Sequence, residues 1–340
     1  MDSHLEHVKK VADAVLYEGY LLYPYRASSV KNRQRFNWGA LVPPSYASAN
    51  INERDAQHIE ALARSTAQTS VGMTVRFLQL VNREVFTPDG RRVDSLEVDG
   101  NFYQSWQEAV EREVVIPAVS GGDEITWTFA FPASSASENI FDGNGDVAAT
   151  IRRSQLAISG EVNLRVRSVR KGVAKIVADI QNLSTCDAPI TDRDSALTSS
   201  LVSTHAILEV ENGEFISLVD PPDELSTEVA ECRNDGVFPV IAGPPGTSRF
   251  LLASPIILYD HPEIAAESAG ELFDGTEIDE ILTLRVMTMT DQEKREMRAV
   301  DARAAAILDR TDNLTAEELL RMHGTLRGNE RARRAGYGPV

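Results

Sequence analysis

Two neighbouring segments of this chain alternate apolar and polar residues, a pattern that is typical of half-buried β-strands. Apolar residues occupy every second position from Val162 to Val166 and again from Ala174 to Ile180, and polar or charged residues fill most positions between them. Arg170-Lys171-Gly172 lies between the two segments and predicts a turn. The pattern therefore predicts an antiparallel hairpin with one apolar face and one charged face that contacts solvent.

Other segments extend the β pattern on both sides of this hairpin. Residues 71–86 alternate apolar and polar side chains before the turn signal Thr87-Pro88-Asp89-Gly90. Residues 70–220 are predicted to form a β-sandwich or a large antiparallel sheet, whereas the Pro/Gly-rich residues 220–246 have the composition of irregular loops. Shorter strands are expected near 111–116, 125–131, 201–208 and 215–219.

Helical patterns flank this β-rich region. Apolar residues fall at helical spacing over residues 8–16, and Thr290 to Glu293 forms a capping box that predicts the start of a C-terminal helix. The predicted fold class is α+β: an antiparallel β-sandwich-like core with a short N-terminal helix and a helical C-terminal region. The predicted divisions are an N-terminal helix with an aromatic, basic segment (1–45), a β-rich core (46–285), C-terminal helices (286–328) and a basic flexible tail (329–340). A split of the core into two sub-sheets near the loop-like residues 132–146 is the alternative to a single core.

The charge and composition of the chain exclude several classes of protein. The 340 residues have a formal net charge of -17, whereas a nucleic-acid-binding protein needs a basic face. The chain has two cysteines, so no disulfide framework is implied. No run approaches the roughly 18 apolar residues of a membrane-spanning helix, and the charged N-terminus argues against a signal peptide. We therefore expect a soluble cytoplasmic protein that binds no nucleic acid and has no membrane span.

The chain lacks the sequence motifs of common catalytic and cofactor sites. It has no Walker loop, no GxGxxG after a strand, no HExxH, no GxSxG and no CxxC. Gly243-Pro244-Pro245-Gly246 cannot hold a phosphate in the usual way, because its two prolines lack N–H donors. The residues therefore identify no catalytic side chain, and a non-enzymatic role is favoured.

A set of thiolate, imidazole and carboxylate donors leads to a metal-binding hypothesis. Mixed sets of this kind suit nickel, iron or zinc rather than calcium, although the spacing is not that of a known zinc finger. The alternative is structural: His261 bonds a backbone group at a strand end, Asp260 caps the loop, and the glutamates face water. The candidate ligands are His261, Asp260, Cys232, His205, Glu277 and Glu280.

Two stretches are candidate contact surfaces for a protein partner. The acidic stretch has seven carboxylates between Glu263 and Glu280, with no Lys or Arg before Arg285, and such a surface raises the rate and selectivity of association. Near the N-terminus, cationic and aromatic residues are interleaved; they are good interface residues, although tyrosines in the core and solvated cations are the alternative. The candidate partner-binding residues are Tyr23, Tyr25, Arg26, Lys31, Arg33, Arg35, Trp38, Glu277, Asp279 and Glu280.

Several strings of this sequence together resemble a known family. They are LYEGYLLYPYRASSVKNRQRF, RDSALTSSLVSTH, FISLVDPP, CRNDGVFPVIAGPPG, SPIILYDHPEIAAESAGELFDGTEIDEILTLR and DQEKREMRAVDARAAAILDR. The chain resembles an uncharacterised accessory family encoded beside the genes of aerobic, high-affinity NiFe hydrogenases of actinobacteria and related soil bacteria. The resemblance covers nearly the whole chain and is most specific over residues 254–285. It supplies no catalytic residue. It implies an accessory or assembly role for a nickel–iron enzyme in the cytoplasm.

Three functional hypotheses follow from these observations. The first is a non-enzymatic accessory or assembly factor that binds a NiFe hydrogenase subunit or maturation factor through the acidic and the Tyr/Arg-rich stretches. The second is a metallochaperone or metal-dependent enzyme that uses the Cys, His and carboxylate donors for nickel, iron or zinc. The third is a structural subunit of a larger complex.

Overall fold

The computed structural model describes residues 3–17, 38–185, 190, 192–264, 286–298 and 302–315. Within these ranges the protein is mostly antiparallel sheet and has a short N-terminal helix, so the β-rich α+β class predicted from the sequence is confirmed. No helix in these ranges is long and apolar enough to span a membrane.

The helices are short. They lie at the two ends of the described chain and in the connections between strands. Thr290 and Glu293 form the predicted capping box, in which the Glu293 carboxylate accepts the Thr290 N–H at 2.6 Å. The predicted continuation of the helical region beyond residue 315 lies outside the described residues. The helices are α1 (Ser3–Tyr17), α2 (Pro44–Ala47), α3 (Arg193–Leu197), α4 (Ser226–Ala230), α5 (Asp291–Arg298) and α6 (Ala302–Asp312).

The strands form one large sheet and one small hairpin. Strands β3 and β4 form the separate two-stranded sheet. The strands are β1 (Ala56–Phe86), β2 (Arg92–Val93), β3 (Ser95–Val98), β4 (Asn101–Gln104), β5 (Trp106–Ser120), β6 (Glu124–Phe131), β7 (Ser134–Phe141), β8 (Val147–Gln155), β9 (Ile158–Arg170), β10 (Val173–Asn182), β11 (Val202–Phe215), β12 (Phe238–Ala242) and β13 (Phe250–Ser254).

Strand β1 organises the large sheet, because its 31 residues pair along both edges. One edge pairs with β10 and then with β5, and the other edge pairs with β11 and then with β8. The register shifts between Ser65 and Ser70, so the strand has two halves on either side of an irregular segment. Beyond β11 the sheet continues through β13 to β12, which ends this side of the sheet.

The strands from β6 to β9 form one long hairpin. Phe131 pairs with Ile158 and Ser134 pairs with Gln155, so the same register continues from β6/β9 into β7/β8. The loop expected over residues 132–146 is therefore wrong for most of its length, because Ser134–Phe141 is a strand. Its small polar residues carry no apolar alternation, and their strand conformation is imposed by pairing with β8.

The core of the large sheet is a single cluster to which both halves of β1 contribute. Phe77 contacts Phe129 and Phe131 of β6, with ring centroids 5.8 and 6.0 Å apart. The two halves of β1 therefore face a common interior. Other buried members come from β1, β5, β9, β10, β11, β12 and β13: Ile59, Ala61, Val75, Ile116, Leu164, Ile176, Ala178, Leu208, Val210, Ile241 and Leu251.

Helices cover the outer face of the sheet. The apolar face of α1 packs on β11, β12 and β13 through Val8, Val11 and Val15, as the helical spacing predicts. On the polar face of α1, the Asp13 carboxylate lies 2.6 Å from Nη2 of Arg76, a buried side chain of β1. The C-terminal helices α5 and α6 bring Met297 and Leu308 to a second cluster that covers the β1 and β5 side.

Candidate binding cleft

The structure explains two predicted metal ligands by their contacts with the edge of the sheet. The Asp260 carboxylate accepts the Ile241 N–H at 2.8 Å and also accepts the Ser217 hydroxyl. The His261 N–H donates to the Ile241 carbonyl at 2.7 Å, and its Nδ1 lies 3.0 Å from the Gly243 carbonyl. Both residues therefore form hydrogen bonds with backbone groups at the outer edge of β12. Such contacts are those of the structural alternative to a metal site.

His205 lies at a different place, on β11 beneath the outer face of the sheet. Its side chain is fully buried beside the cross-strand residue Arg76, and Nδ1 lies 3.0 Å from the Ser203 carbonyl. Burial and the charge of Arg76 lower the pKa of His205 to about 3. The side chain is therefore neutral at physiological pH, with Nδ1–H donating to Ser203.

Cys232 lies against an apolar cluster at the end of α4. Its neighbours in that cluster include Leu62, Ile216 and Leu225, and Sγ lies 3.5 Å from the Glu228 carbonyl. Burial raises the pKa of the Cys232 thiol above its ordinary value. The thiol is therefore protonated and poorly suited to nucleophilic attack at neutral pH.

The donors predicted to form a metal site lie in separate parts of the described structure. Asp260 and His261 are adjacent at β12, whereas His205 is under the sheet surface and Cys232 packs on β1 and β10. Among the described ranges, no three His, Cys, Asp or Glu side chains come together as a metal ion requires. Glu277 and Glu280 lie outside those ranges. The metal hypothesis therefore stays a prediction, which elemental analysis of untagged protein would test.

One predicted partner-binding residue, Trp38, is described and lies at the mouth of a cleft. Trp38 is 49% exposed. Tyr23, Tyr25, Arg26, Lys31, Arg33, Arg35, Glu277, Asp279 and Glu280 lie outside the described residues, so their contact role stays a prediction. The cleft has a volume of about 450 Å³ and is lined by Trp38, Gly39, Ala40, Asn52, Glu53, Arg54, Arg193, Asn234, Asp235, Gly236, Val237, Phe238 and Pro255.

The wall that carries Trp38 is fixed by backbone hydrogen bonds. The Gly39 carbonyl accepts the Thr204 N–H at 3.0 Å, and Leu41 exchanges two backbone bonds with Leu201. The buried Asn182 amide donates to the Leu41 carbonyl at 2.8 Å. Gly39 has a φ of +61° and packs directly on Pro255. This wall is therefore tied to the sheet at several points.

A second wall of the cleft is a loop whose backbone pairs with the start of β1 as a strand would. Asp235 exchanges backbone hydrogen bonds with His58, at 2.9 and 3.1 Å. The Asn234 side chain accepts the Glu60 N–H at 2.9 Å and donates to the Glu60 carbonyl at 3.2 Å. Gly236 follows with a φ of +78°, which favours glycine. These bonds hold the chain that leads to Phe238, a lining residue that is 46% exposed.

Two ion pairs also line the cleft. Arg54 Nη1 lies 2.7 Å from the Asp235 carboxylate, and Arg193 Nε lies 2.6 Å from the Glu53 carboxylate. The N-terminus of α3 places Arg193, since the Asp192 side chain caps that helix by accepting the Ser195 N–H at 2.8 Å. The cleft therefore combines two exposed aromatic residues with two ion pairs, whose charges cancel.

Sequence reasoning missed most of this site. Arg54 precedes Asp235 by some 180 positions in the sequence. Asp235 and Phe238 both fall within residues 220–246, which were predicted to be irregular, whereas Phe238–Ala242 forms strand β12. The apolar run after Gly236 was the available signal for that strand. Nothing local pairs Arg54 with Asp235, because their proximity results from the loop pairing with β1.

Comparison with protein-family models found no family that matches this chain, and comparison with curated proteins found no match either.

Proposed function

We propose that this protein is a non-enzymatic accessory factor that binds another protein through the cleft between Trp38 and Phe238. The observation that carries the proposal is the exposure of these two large aromatic residues, 49% and 46%, on walls fixed by backbone hydrogen bonds. Exposed aromatic residues grouped on a rigid surface are typical of protein interfaces, where Trp is enriched among residues that dominate binding energy.

The proposed partner is a subunit or maturation factor of a NiFe hydrogenase in the cytoplasm. The support for this partner is the sequence resemblance to the hydrogenase accessory family. The Tyr/Arg-rich N-terminal stretch, which precedes Trp38 in the sequence, would supply further partner-binding residues. The acidic stretch around Glu277, Asp279 and Glu280 would guide association with a basic partner surface.

The test is co-purification from cells that make the hydrogenase and its maturation factors, with the captured proteins identified by mass spectrometry. We expect a hydrogenase subunit or maturation factor in stoichiometric yield with the wild-type chain. Neutralising Glu277, Asp279 and Glu280 together should weaken capture and reduce its dependence on salt. Absence of every hydrogenase-related protein from the captured material would contradict the proposed partner.

A further inference from the structure

We propose that the cleft between Trp38 and Phe238 binds an extended, proline-containing peptide segment of the partner protein. This inference rests on the proposed function and names the kind of chain segment that the site recognises. It follows from the charge of the cleft, from the apolar residues at its mouth, and from the way the neighbouring sheet edge is closed.

The charge distribution favours a peptide over an anionic small molecule. Both guanidinium groups are already paired at short distance, Arg54 with Asp235 and Arg193 with Glu53. The cleft therefore has no excess positive charge for a phosphate or a dicarboxylate. Each Arg uses one N–H group in its pair and each carboxylate has a second oxygen, so donors and acceptors stand side by side. A peptide group has one N–H donor and one carbonyl acceptor, so it can bond to both kinds of group.

The apolar residues favour a segment with proline or a similarly compact apolar side chain. Trp38, Phe238 and Pro255 line the cleft, and a volume of about 450 Å³ holds a few residues rather than a helix. Aromatic-lined grooves bind polyproline II segments because such segments are already extended and have no internal hydrogen bonds. Their free carbonyls then accept hydrogen bonds from side-chain donors such as the two Arg groups.

The edge of β12 is closed to an added strand, so a peptide in this cleft is not bound by sheet extension. The Ile241 N–H and carbonyl are bonded to Asp260 and His261. Pro239 stands two residues earlier on the same strand edge and has no N–H to donate. A segment that enters beside Phe238 must therefore be recognised by side chains, which is the mode used for proline-containing ligands.

The probe is a phage-displayed library of random dodecapeptides, followed by fluorescence anisotropy with the synthetic peptides that it selects. We expect the selected peptides to share a proline and to bind the full-length protein with micromolar affinity. Trp38→Ala on one wall and Phe238→Ser on the other should each weaken binding by about tenfold or more, as truncation of a dominant interface residue does.

Matched controls come from aromatic residues of the same types that are also exposed elsewhere on the sheet. Trp127→Ala on β6 and Phe141→Ser on β7 remove side chains that are 39% and 58% exposed, and we expect less than about a twofold change. Urea unfolding midpoints equal to wild type would show that the variants fold. If Trp38→Ala alone failed to fold, Phe238→Ser would still test the cleft.

Several outcomes would overturn the inference. Selection of no peptides would do so, and so would selected peptides that bind both wall variants as tightly as wild type. Selected peptides that lack proline would exclude the proposed class. Capture of a hydrogenase subunit that persists in both wall variants would reject the cleft while leaving the proposed function intact. Peptide binding without any hydrogenase capture would reject the proposed partner and leave the cleft.

Discussion

The Asp260 carboxylate accepts the backbone N–H of Ile241 at 2.8 Å and thereby closes the outer edge of β12. The same carboxylate accepts the Ser217 hydroxyl, so one side chain joins the last strand of the sheet to the chain that leaves β11. An open strand edge is a template for pairing with another chain, and this contact removes it.

Asp260→Ala leaves a backbone donor and a hydroxyl without their acceptor. We expect a loss of about 1–3 kcal/mol in the free energy of unfolding, measured by urea denaturation, with a greater tendency to aggregate. The control is Asp123→Ala in the turn before β6, where the side chain is exposed and little change is expected. Equal stability of both variants would show that the edge contact contributes nothing.

Gly236→Ala tests whether the cleft wall depends on a close contact with Arg54. Gly236 has a φ of +78°, and an added Cβ would overlap the guanidinium that pairs with Asp235. The control is Gly246→Ala, since Gly246 has a φ of +88° and nothing within 4 Å of an added Cβ. We expect both to lose about 1 kcal/mol from backbone strain and only Gly236→Ala to weaken peptide binding. Identical binding losses in the two variants would contradict this role of Arg54.

The buried His205 predicts a loss of stability on acidification. Its pKa is lowered to about 3 in the folded protein, whereas an unfolded histidine takes up a proton below about pH 6.5. The unfolded state therefore binds more protons between these values, and stability falls as the pH is lowered through that window. From pH 7 to pH 4.5 the loss due to this residue should be on the order of 2 kcal/mol.

The measurement is urea denaturation from pH 7 to pH 4.5 on wild type and His205→Gln. Carboxylates titrate in both proteins, so the difference between the two curves isolates the histidine. We expect the variant to be less stable than wild type at pH 7 and to show the flatter pH dependence. Parallel curves would mean that His205 is not buried as a neutral group.

The contact between Asp13 of α1 and Arg76 of β1 should stabilise the packing of α1 on the sheet. The Arg76 side chain is 7% exposed and keeps only more distant carboxylates, Glu111 at 3.6 Å and Glu113 at 3.7 Å, if Asp13 is lost. Asp13→Asn should therefore cost about 1 kcal/mol and speed amide hydrogen exchange in α1. Lys9→Gln removes an exposed pair of the same helix, 3.7 Å from Glu113, and should change little. Equal exchange in both variants would contradict the prediction.

The strand pattern was predictable where side-chain alternation is strong. The hairpin of β9 and β10 has the predicted turn, with Val173 paired to Arg170, and the helical spacing near the N-terminus corresponds to α1. In both cases a local period of two or 3.6 residues determines which side chains are buried. Such periods need no knowledge of the rest of the chain.

The extent of β1 was not predictable in the same way. Residues 56–70 are rich in Ala, Ser, Thr and Gln, yet Ala61 and Ala63 are fully buried in the core because β10 and β11 pair on either side. The strand expected at 215–219 is likewise wrong, since β11 ends at Phe215. Here tertiary pairing rather than local propensity decides the backbone conformation.

The candidate site was predictable only at Trp38. An aromatic residue beside a cationic stretch is visible in a sequence, although its exposure is not. The partnership of Arg54 with Asp235 depends on a loop that pairs with β1. The predicted ligands Asp260 and His261 illustrate the opposite case. Their donor chemistry suits a metal, but the Asp260 carboxylate accepts the Ile241 N–H and the Ser217 hydroxyl, and His261 Nδ1 lies 3.0 Å from the Gly243 carbonyl.

The most direct test of the central claim is quantitative capture of NiFe hydrogenase subunits and maturation factors by the wild-type chain, the double variant Trp38→Ala/Phe238→Ser and the control Trp127→Ala/Phe141→Ser. We predict that wild type and control capture one of these proteins equally well, and that the cleft variant loses at least about nine-tenths of it, as the loss of two dominant interface residues implies. Equal capture by all three chains, or capture by none, would contradict a partner-binding role for this cleft.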